Sequence, residues 1–294
     1  MADPAPPAAE PRSAAGDRPT AGDRPTAGDG RPPVRVTRDG AVATVLIDRP
    51  HRKNALRPQD LAVLVAELDA VDRDPGIRAV LLGGADGVLC AGGDLSGDIA
   101  EGPAATLRYL SEFHRLLRAV LGMIVPVVVV LEGAAVGAGA SLALGADICV
   151  ADPESRIALP FVHRGIVADS GLGLLLARQI GMARTKVLLL GGRAVGAERA
   201  LELGLVAEVD PDPWAAARRW ADELAAGPPV ATASIKRLVN QAVLADLDPY
   251  LAHELAAASA SMGTDEPDEG IAAFLEKRPP DFSRSHHGGG GRRG

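Results

Sequence analysis

Aromatic side chains are scarce, at 3% of the 294 residues. Few platforms therefore exist on which bases could stack, and a formal net charge of −7 supplies no broad basic surface for a phosphate backbone. Nucleic acid is not an expected partner. Two cysteines exclude a disulfide framework and point to a reducing, cytoplasmic setting. Only four of the 31 basic residues are lysines, which in so alanine-rich a chain reads as coding bias rather than as a cationic face. Long apolar runs are missing too. The VVVV run at 127–130 soon meets Glu132 and Gly133, well short of the roughly 20 apolar residues of a membrane span. The N-terminal stretch has no apolar segment of the kind a secretory signal needs. What remains, 47% apolar and 23% charged residues, is the make-up of a globular chain long enough for one large domain.

Residues 1–33 hold eight of the 23 prolines, and AGDRPT occurs twice in succession, at 15–20 and 21–26. A polar Pro/Gly repeat cannot bury enough surface to offset its ordering entropy, so a disordered tail is expected there. A second flexible tail is expected over 284–294, where His286 and His287 read as solvent-facing rather than as metal ligands. The ordered domain is expected over 34–283, with a core at 34–200 and a helical region at 201–283.

Within it, strands and helices alternate. Val34–Thr37 and Ala41–Asp48 flank an Asp39–Gly40 turn and read as a hairpin. Pro58 opens a helix with Leu61, Leu64, Val65 and Leu68 on one stripe, ending near Asp74–Pro75. Buried strands are expected at 77–82, 126–131 and 148–151, with helices at 104–121 and 136–144 between them. Fully apolar strands alternating with helices predict an α/β layer arrangement. Beyond 172 the spacing predicts helices at 173–180, 184–190, 197–203, 213–226, 230–245 and 249–261.

Two glycine-rich turns follow strands: LCAGGDLS at 89–96 and EGAAVGAGASLALGADI at 132–148. Where a strand gives way to a helix, backbone N–H groups are unpaired and point beyond the strand end. Each turn alone is an ordinary tight connection. Two side by side would aim two N–H donors at one oxygen, an arrangement that stabilises an enolate by several kcal/mol.

These turns, with IDRPHRKNAL at 47–56 and EGIAAFLEKRPPDF at 269–282, make the chain resemble the crotonase (enoyl-CoA hydratase/isomerase) superfamily from about 34 to 283. The resemblance implies a ββα spiral core with an α-helical C-terminal trimerisation region. It also implies an acyl-CoA thioester substrate, CoA arriving with the substrate rather than as a separate cofactor, and a homotrimer or dimer of trimers. It puts the oxyanion donors on Gly93 and Ala138. It assigns Arg52, Lys53, Ala55, Ala91 and Lys277 to the CoA moiety, where cations would meet phosphates. Asn54 and Asp94 read as structural, a turn hydrogen bond and a helix N-terminal charge.

The chain departs from its relatives at the acid–base positions. Hydratases of the family hold water between two glutamates; Ser141 and Phe161 stand in those places here. Serine is no carboxylate base and phenylalanine holds no proton, so the two-carboxylate hydration route is closed. Asp169, in GIVADSGLG at 165–173, matches an acidic position of isomerase relatives. One carboxylate beside an enolate suffices to move a proton along an acyl chain, best from an apolar pocket, for which Phe161, Val162, Ile166, Val167 and Leu172 are the expected walls. The alternative role for Asp169 is capping a helix at 171–180. His163 and Arg164 read as support or ligand contact, Cys90 and Cys149 as core thiols. Asp98 and Glu101 border the expected acyl pocket.

Other classes fit less well. Gly133, Gly137 and Gly139 suggest a dinucleotide turn, but Tyr109 and Tyr250 are followed four residues on by Phe113 and Glu254, not by the lysine of a short-chain dehydrogenase. Ser170 lacks the glycine two residues earlier that a nucleophile elbow needs. His51 and His114 have no partners at metal-ligand spacing. The expectation is therefore an enoyl-CoA isomerase, with a hydratase using a non-standard acid/base set, or a non-catalytic acyl-CoA binder, as the alternatives.

Overall fold

The computed structural model describes residues 32–94 and 103–284. Both expected tails, apart from positions 32, 33 and 284, and the loop carrying Asp98 and Glu101 lie outside these.

Strand β1 (Val34–Asp39) turns at Gly40 into β2 (Val42–Ile47), an antiparallel hairpin as the Asp–Gly signal requires. Helix α1 (Pro58–Asp72) starts at its proline and buries Leu61, Leu64, Leu68 and Val71, which recur at helical spacing. Then come β3 (Ala79–Gly84), α2 (Pro103–Gly122) and β4 (Val127–Leu131). The short β5 (Ala134–Val136) leads into α3 (Ala138–Gly145), β6 (Ile148–Ala151) and β7 (Arg156–Ala158). After α4 (Leu172–Ile180) and α5 (Met182–Gly191) the chain forms β8 (Ala194–Gly196), α6 (Ala197–Leu203) and β9 (Glu208–Val209). Helices α7 (Pro213–Ala226), α8 (Pro229–Met262) and α9 (Glu266–Leu275) complete the described residues.

The larger sheet has the order β1-β2-β3-β4-β6-β9, parallel from β2 onward. Every residue of β3 and β4 is buried, because both sheet faces are covered. Val80 and Leu82 of β3 point into the main core with α1 and α2, whereas Ala79 and Leu81 meet Ala216, Ala217 and Ala221 of α7. A second sheet, β5-β7-β8, carries the glycine turn before α3.

Two expectations are corrected. Val136, expected to open the helix at 136–144, instead ends a strand over 134–136, because β7 and Cys90 supply backbone partners that local propensity could not foretell. The two helices expected at 230–245 and 249–261 are one, continuous through Pro249. Proline removes one helical hydrogen bond, but the helix is anchored on both sides of it. The Lys236 ammonium meets Asp147 at 2.7 Å, Asn240 donates to the Leu121 carbonyl at 2.9 Å, and Leu251, Glu254 and Ala258 are buried beyond the proline. The short strands β7, β8 and β9 and the helix α9 carry too little periodicity to be read from sequence.

Candidate active site

Backbone bonds fix the first glycine turn. Ala91 N donates to Lys53 O at 3.0 Å, Leu56 N to Gly92 O at 2.9 Å, and Asp94 N to Leu56 O at 3.0 Å. This parallel pairing occupies the neighbours of Gly93 and leaves its own N–H on the far side from Leu56. Ala138 is the first residue of α3, so its N–H has no acceptor within the helix. Among the described residues neither amide donates a hydrogen bond. The turns lie edge to edge, since Val136 N donates to Cys90 O at 2.9 Å and Cys90 N to Ala134 O at 3.2 Å. Such closeness demands glycine: a Cβ on Gly92 would stand 2.7 Å from Val136 O, and one on Gly139 would collide with Cys90 O.

Side chains brace the turns from behind. Asn54 is fully buried, accepts from Arg49 N at 2.8 Å and donates to Ala85 O at 2.8 Å, the turn role expected of it. The Asp94 carboxylate pairs with the buried Arg49 guanidinium at 3.1 Å, and the helix start expected just after it falls outside the described residues. Arg49 also meets Asp60 at 3.2 Å. The Tyr109 hydroxyl accepts from Asp94 N at 2.8 Å and donates to Leu56 O, so it holds both sides of the first turn.

Asp169 lies in the segment between Phe161 and α4. Its backbone carbonyl accepts Leu172 N, but α4 is capped by Gly171, so its carboxylate is not the helix cap. That carboxylate accepts the Ser170 hydroxyl at 2.8 Å. Ser170 is itself in the left-handed region, φ 59°, and its carbonyl accepts the Ser141 hydroxyl. Glu254 of α8 accepts Gly171 N at 3.0 Å and pairs with His114 Nε2 of α2 at 2.6 Å, both side chains being buried. Burial, then the Glu254 charge, push the Asp169 carboxyl up to about 7; the Ser170 hydrogen bond and the Arg164 guanidinium oppose them. The carboxyl is thus poised to exchange a proton near neutrality.

Phe161 is buried, its ring 3.5 Å from where a Gly137 Cβ would stand, so a phenyl wall lies beside the second turn. Ile166 and Leu172 pack into the core, whereas Val162 and Val167, also expected as walls, are each more than a third exposed. Ala138, Ser141 and Ser170 line a small pocket of about 10 Å³ with Phe113, Leu117 and Leu142. The second turn and the Asp169 segment are therefore neighbours. Arg164 stacks 4.3 Å above the Phe274 ring, a supporting contact. Burial pushes the Cys90 and Cys149 thiols up to about 12, which leaves both inert.

Of the residues assigned to CoA, Arg52 and Lys53 are exposed in the turn before Asn54. The Ala91–Lys53 backbone bond brings them beside Ala55 and Ala91. Lys277, exposed with φ 56°, stands apart on the segment after α9, the helix that packs against residues 162–164. Arg49 had no role in the sequence reading, which weighed Tyr109, His114 and Glu254 only for other chemistry. Their only signal was chemical type on elements remote in sequence from the turns they hold.

The sequence matches the enoyl-CoA hydratase/isomerase family over residues 37–285. A protein of Rhodobacter capsulatus named as a probable enoyl-CoA hydratase is 34% identical over 255 residues, 85% of this chain and 97% of the relative. The 1,2-epoxyphenylacetyl-CoA isomerase of Escherichia coli is 36% identical over 253 residues, 82% and 95% of the two chains. The crystal structure of an enoyl-CoA hydratase from Mycobacterium avium subsp. paratuberculosis superposes with a TM-score of 0.78 at 31% identity, covering 85% of this chain and 98% of that one. With its mixed α/β core, paired glycine turns and helical C-terminal region, the chain belongs to the enoyl-CoA hydratase/isomerase, or crotonase, family.

Proposed function

We propose that the protein shifts a carbon–carbon double bond in an enoyl-CoA thioester. The observation that carries this reading is the replacement of the two hydratase carboxylates by Ser141 and Phe161, beside a single carboxyl, Asp169, poised near neutrality. The thioester oxygen accepts the Gly93 and Ala138 amides. The Asp169 carboxylate takes a proton from C2 of a 3-enoyl thioester, and the electron pair spreads over C2–C4 and the thioester oxygen as a dienolate. The proton returns from Asp169 to C4, the double bond settles between C2 and C3, and the enzyme ends in its starting state. The amides lower the barrier by matching the charge that develops on oxygen, and the phenyl wall of Phe161 keeps water from the dienolate.

Arg52, Lys53 and Lys277 offer cations to the CoA phosphates, with Ala55 and Ala91 leaving room beside the backbone. No metal or redox cofactor enters this chemistry. The protein works as a homotrimer or a dimer of trimers through the exposed apolar side chains of α5 and α8, Leu190 and Leu238 among them. Relatives are named both as hydratases and as isomerases, so the test offers a panel of 2-enoyl and 3-enoyl thioesters in deuterated water. Mass spectrometry is expected to find isomerisation with deuterium uptake, both lost in Asp169→Asn. Hydration at comparable rates would reverse the reading, and binding with no exchange would mark a non-catalytic acyl-CoA binder.

A further inference from the structure

The buried ionisable pair behind the site has no part in the chemistry above. His114 of α2 and Glu254 of α8 are each about 2% exposed at their side chains and meet at 2.6 Å. A buried pair of this kind contributes little to net stability against apolar replacements, so its placement calls for a use. Its free oxygen supplies one. Glu254 Oε2 accepts the Gly171 amide at 3.0 Å, two residues after Asp169. The intervening Ser170 holds a left-handed backbone that only Gly adopts without cost, and its hydroxyl grips the Asp169 carboxylate at 2.8 Å. A strained turn persists only where its surroundings over-determine it. Here Ser141 grips it from α3, through the Ser170 carbonyl, and Glu254 from α8, through the Gly171 amide.

We propose that Glu254 is a positioning residue for Asp169, acting with His114 through the Gly171 amide to fix the turn that carries the carboxyl. This rests on the reading of Asp169 as the proton-transferring group. The Glu254 charge also opposes ionisation of Asp169 across the turn. The other groups around that carboxyl are the Arg164 guanidinium, which favours ionisation, and the Ser170 hydroxyl, which favours it too. Tyr109 and His114 of α2 and Tyr250 of α8 stay within electrostatic reach of Asp169 or of Glu254.

Glu254→Gln separates the two effects, since an amide oxygen still accepts from Gly171 but carries no charge. In ¹³C-labelled protein the Asp169 carboxyl is assigned by its loss in Asp169→Asn and titrated by NMR. In Glu254→Gln its midpoint is expected to move to lower pH, and the pH limb of kcat/KM for a 3-enoyl thioester with it. A folded Glu254→Gln protein with both curves unmoved would overturn the proposal. Glu254→Asp keeps the charge but draws it back from Gly171. There kcat is expected to fall about tenfold with KM held, the cost of a misplaced proton carrier, and wild-type kcat would overturn the proposal even if the glutamine variant did not fold. The NMR titration needs no turnover. Should Asp169→Asn retain exchange while Glu254→Gln moves the titration, the functional reading falls and the positioning role stands.

Discussion

A carboxyl pushed up to about 7 has a thermodynamic signature apart from catalysis. Its proton affinity is raised in the folded state, so the destabilisation it causes is absent below the unfolded value near 4, grows from there to about 7, and is constant above. Asp169→Asn is therefore expected to be inactive yet more stable than wild type at pH 8, by roughly 2–4 kcal/mol, with the gain vanishing at pH 4. Denaturant midpoints at the two pH values check this. Gly93 makes a second case at this scale. An added Cβ would stand 2.8 Å from the Tyr109 hydroxyl, so Gly93→Ala should displace the phenol that holds Asp94 N and Leu56 O. A tenfold or greater fall in kcat is expected for Gly93→Ala, partly restored in Gly93→Ala/Tyr109→Phe, where the obstructing oxygen is gone.

Elements were legible in the sequence where a period or a turn residue spoke for itself. The Asp39–Gly40 hairpin, the α1 stripe and the apolar β3 and β4 runs are of that kind. So were the two glycine turns, because glycine is demanded by backbone contact within the site. Pro249 misled because its local penalty was outweighed by the anchors of Lys236 and Asn240, which are 111 and 119 residues from the carbonyls they hold. Asp94 also pairs with Arg49, 45 positions away, a contact that no local spacing announces. His114 and Glu254, 140 positions apart, have no spacing to betray them. Lys236 shows the energy at stake in such distant pairs. Its ammonium is buried against Asp147 and the Val125 carbonyl, pinning α8 to the ends of β4 and β6. Lys236→Ala should cost about 3 kcal/mol by taking the ammonium from Asp147, whose carboxylate then keeps the Val127 amide, with the kcat of folded protein near wild type.

At the scale of the whole molecule, net charge and ligand charge have the same sign. A chain at −7 that takes a CoA thioester must supply cations locally, and Arg52→Ala/Lys53→Ala is expected to raise KM severalfold while kcat moves little. Added salt should raise the wild-type KM toward that of the variant. The exposed apolar faces of α5 and α8 carry a separate expectation. Leu190 is 74% and Leu238 73% exposed in the single chain, a state that assembly would relieve. Light scattering should find trimers or hexamers for wild type and smaller species for Leu190→Asp/Leu238→Asp.

The bonds that sew residues 53–56 to 91–94, and Cys90 to Ala134 and Val136, are made by peptide groups. They bear no trace of which side chains happen to decorate them. Drift at Ser141, Phe161 or Asp169 can therefore change the side chains around the turns while the two amides stay where they are. Inheritance in such a scaffold divides into a fixed part, written in the glycines, and a replaceable part, written in the residues around them. New reactions can arise from the second without risking the first.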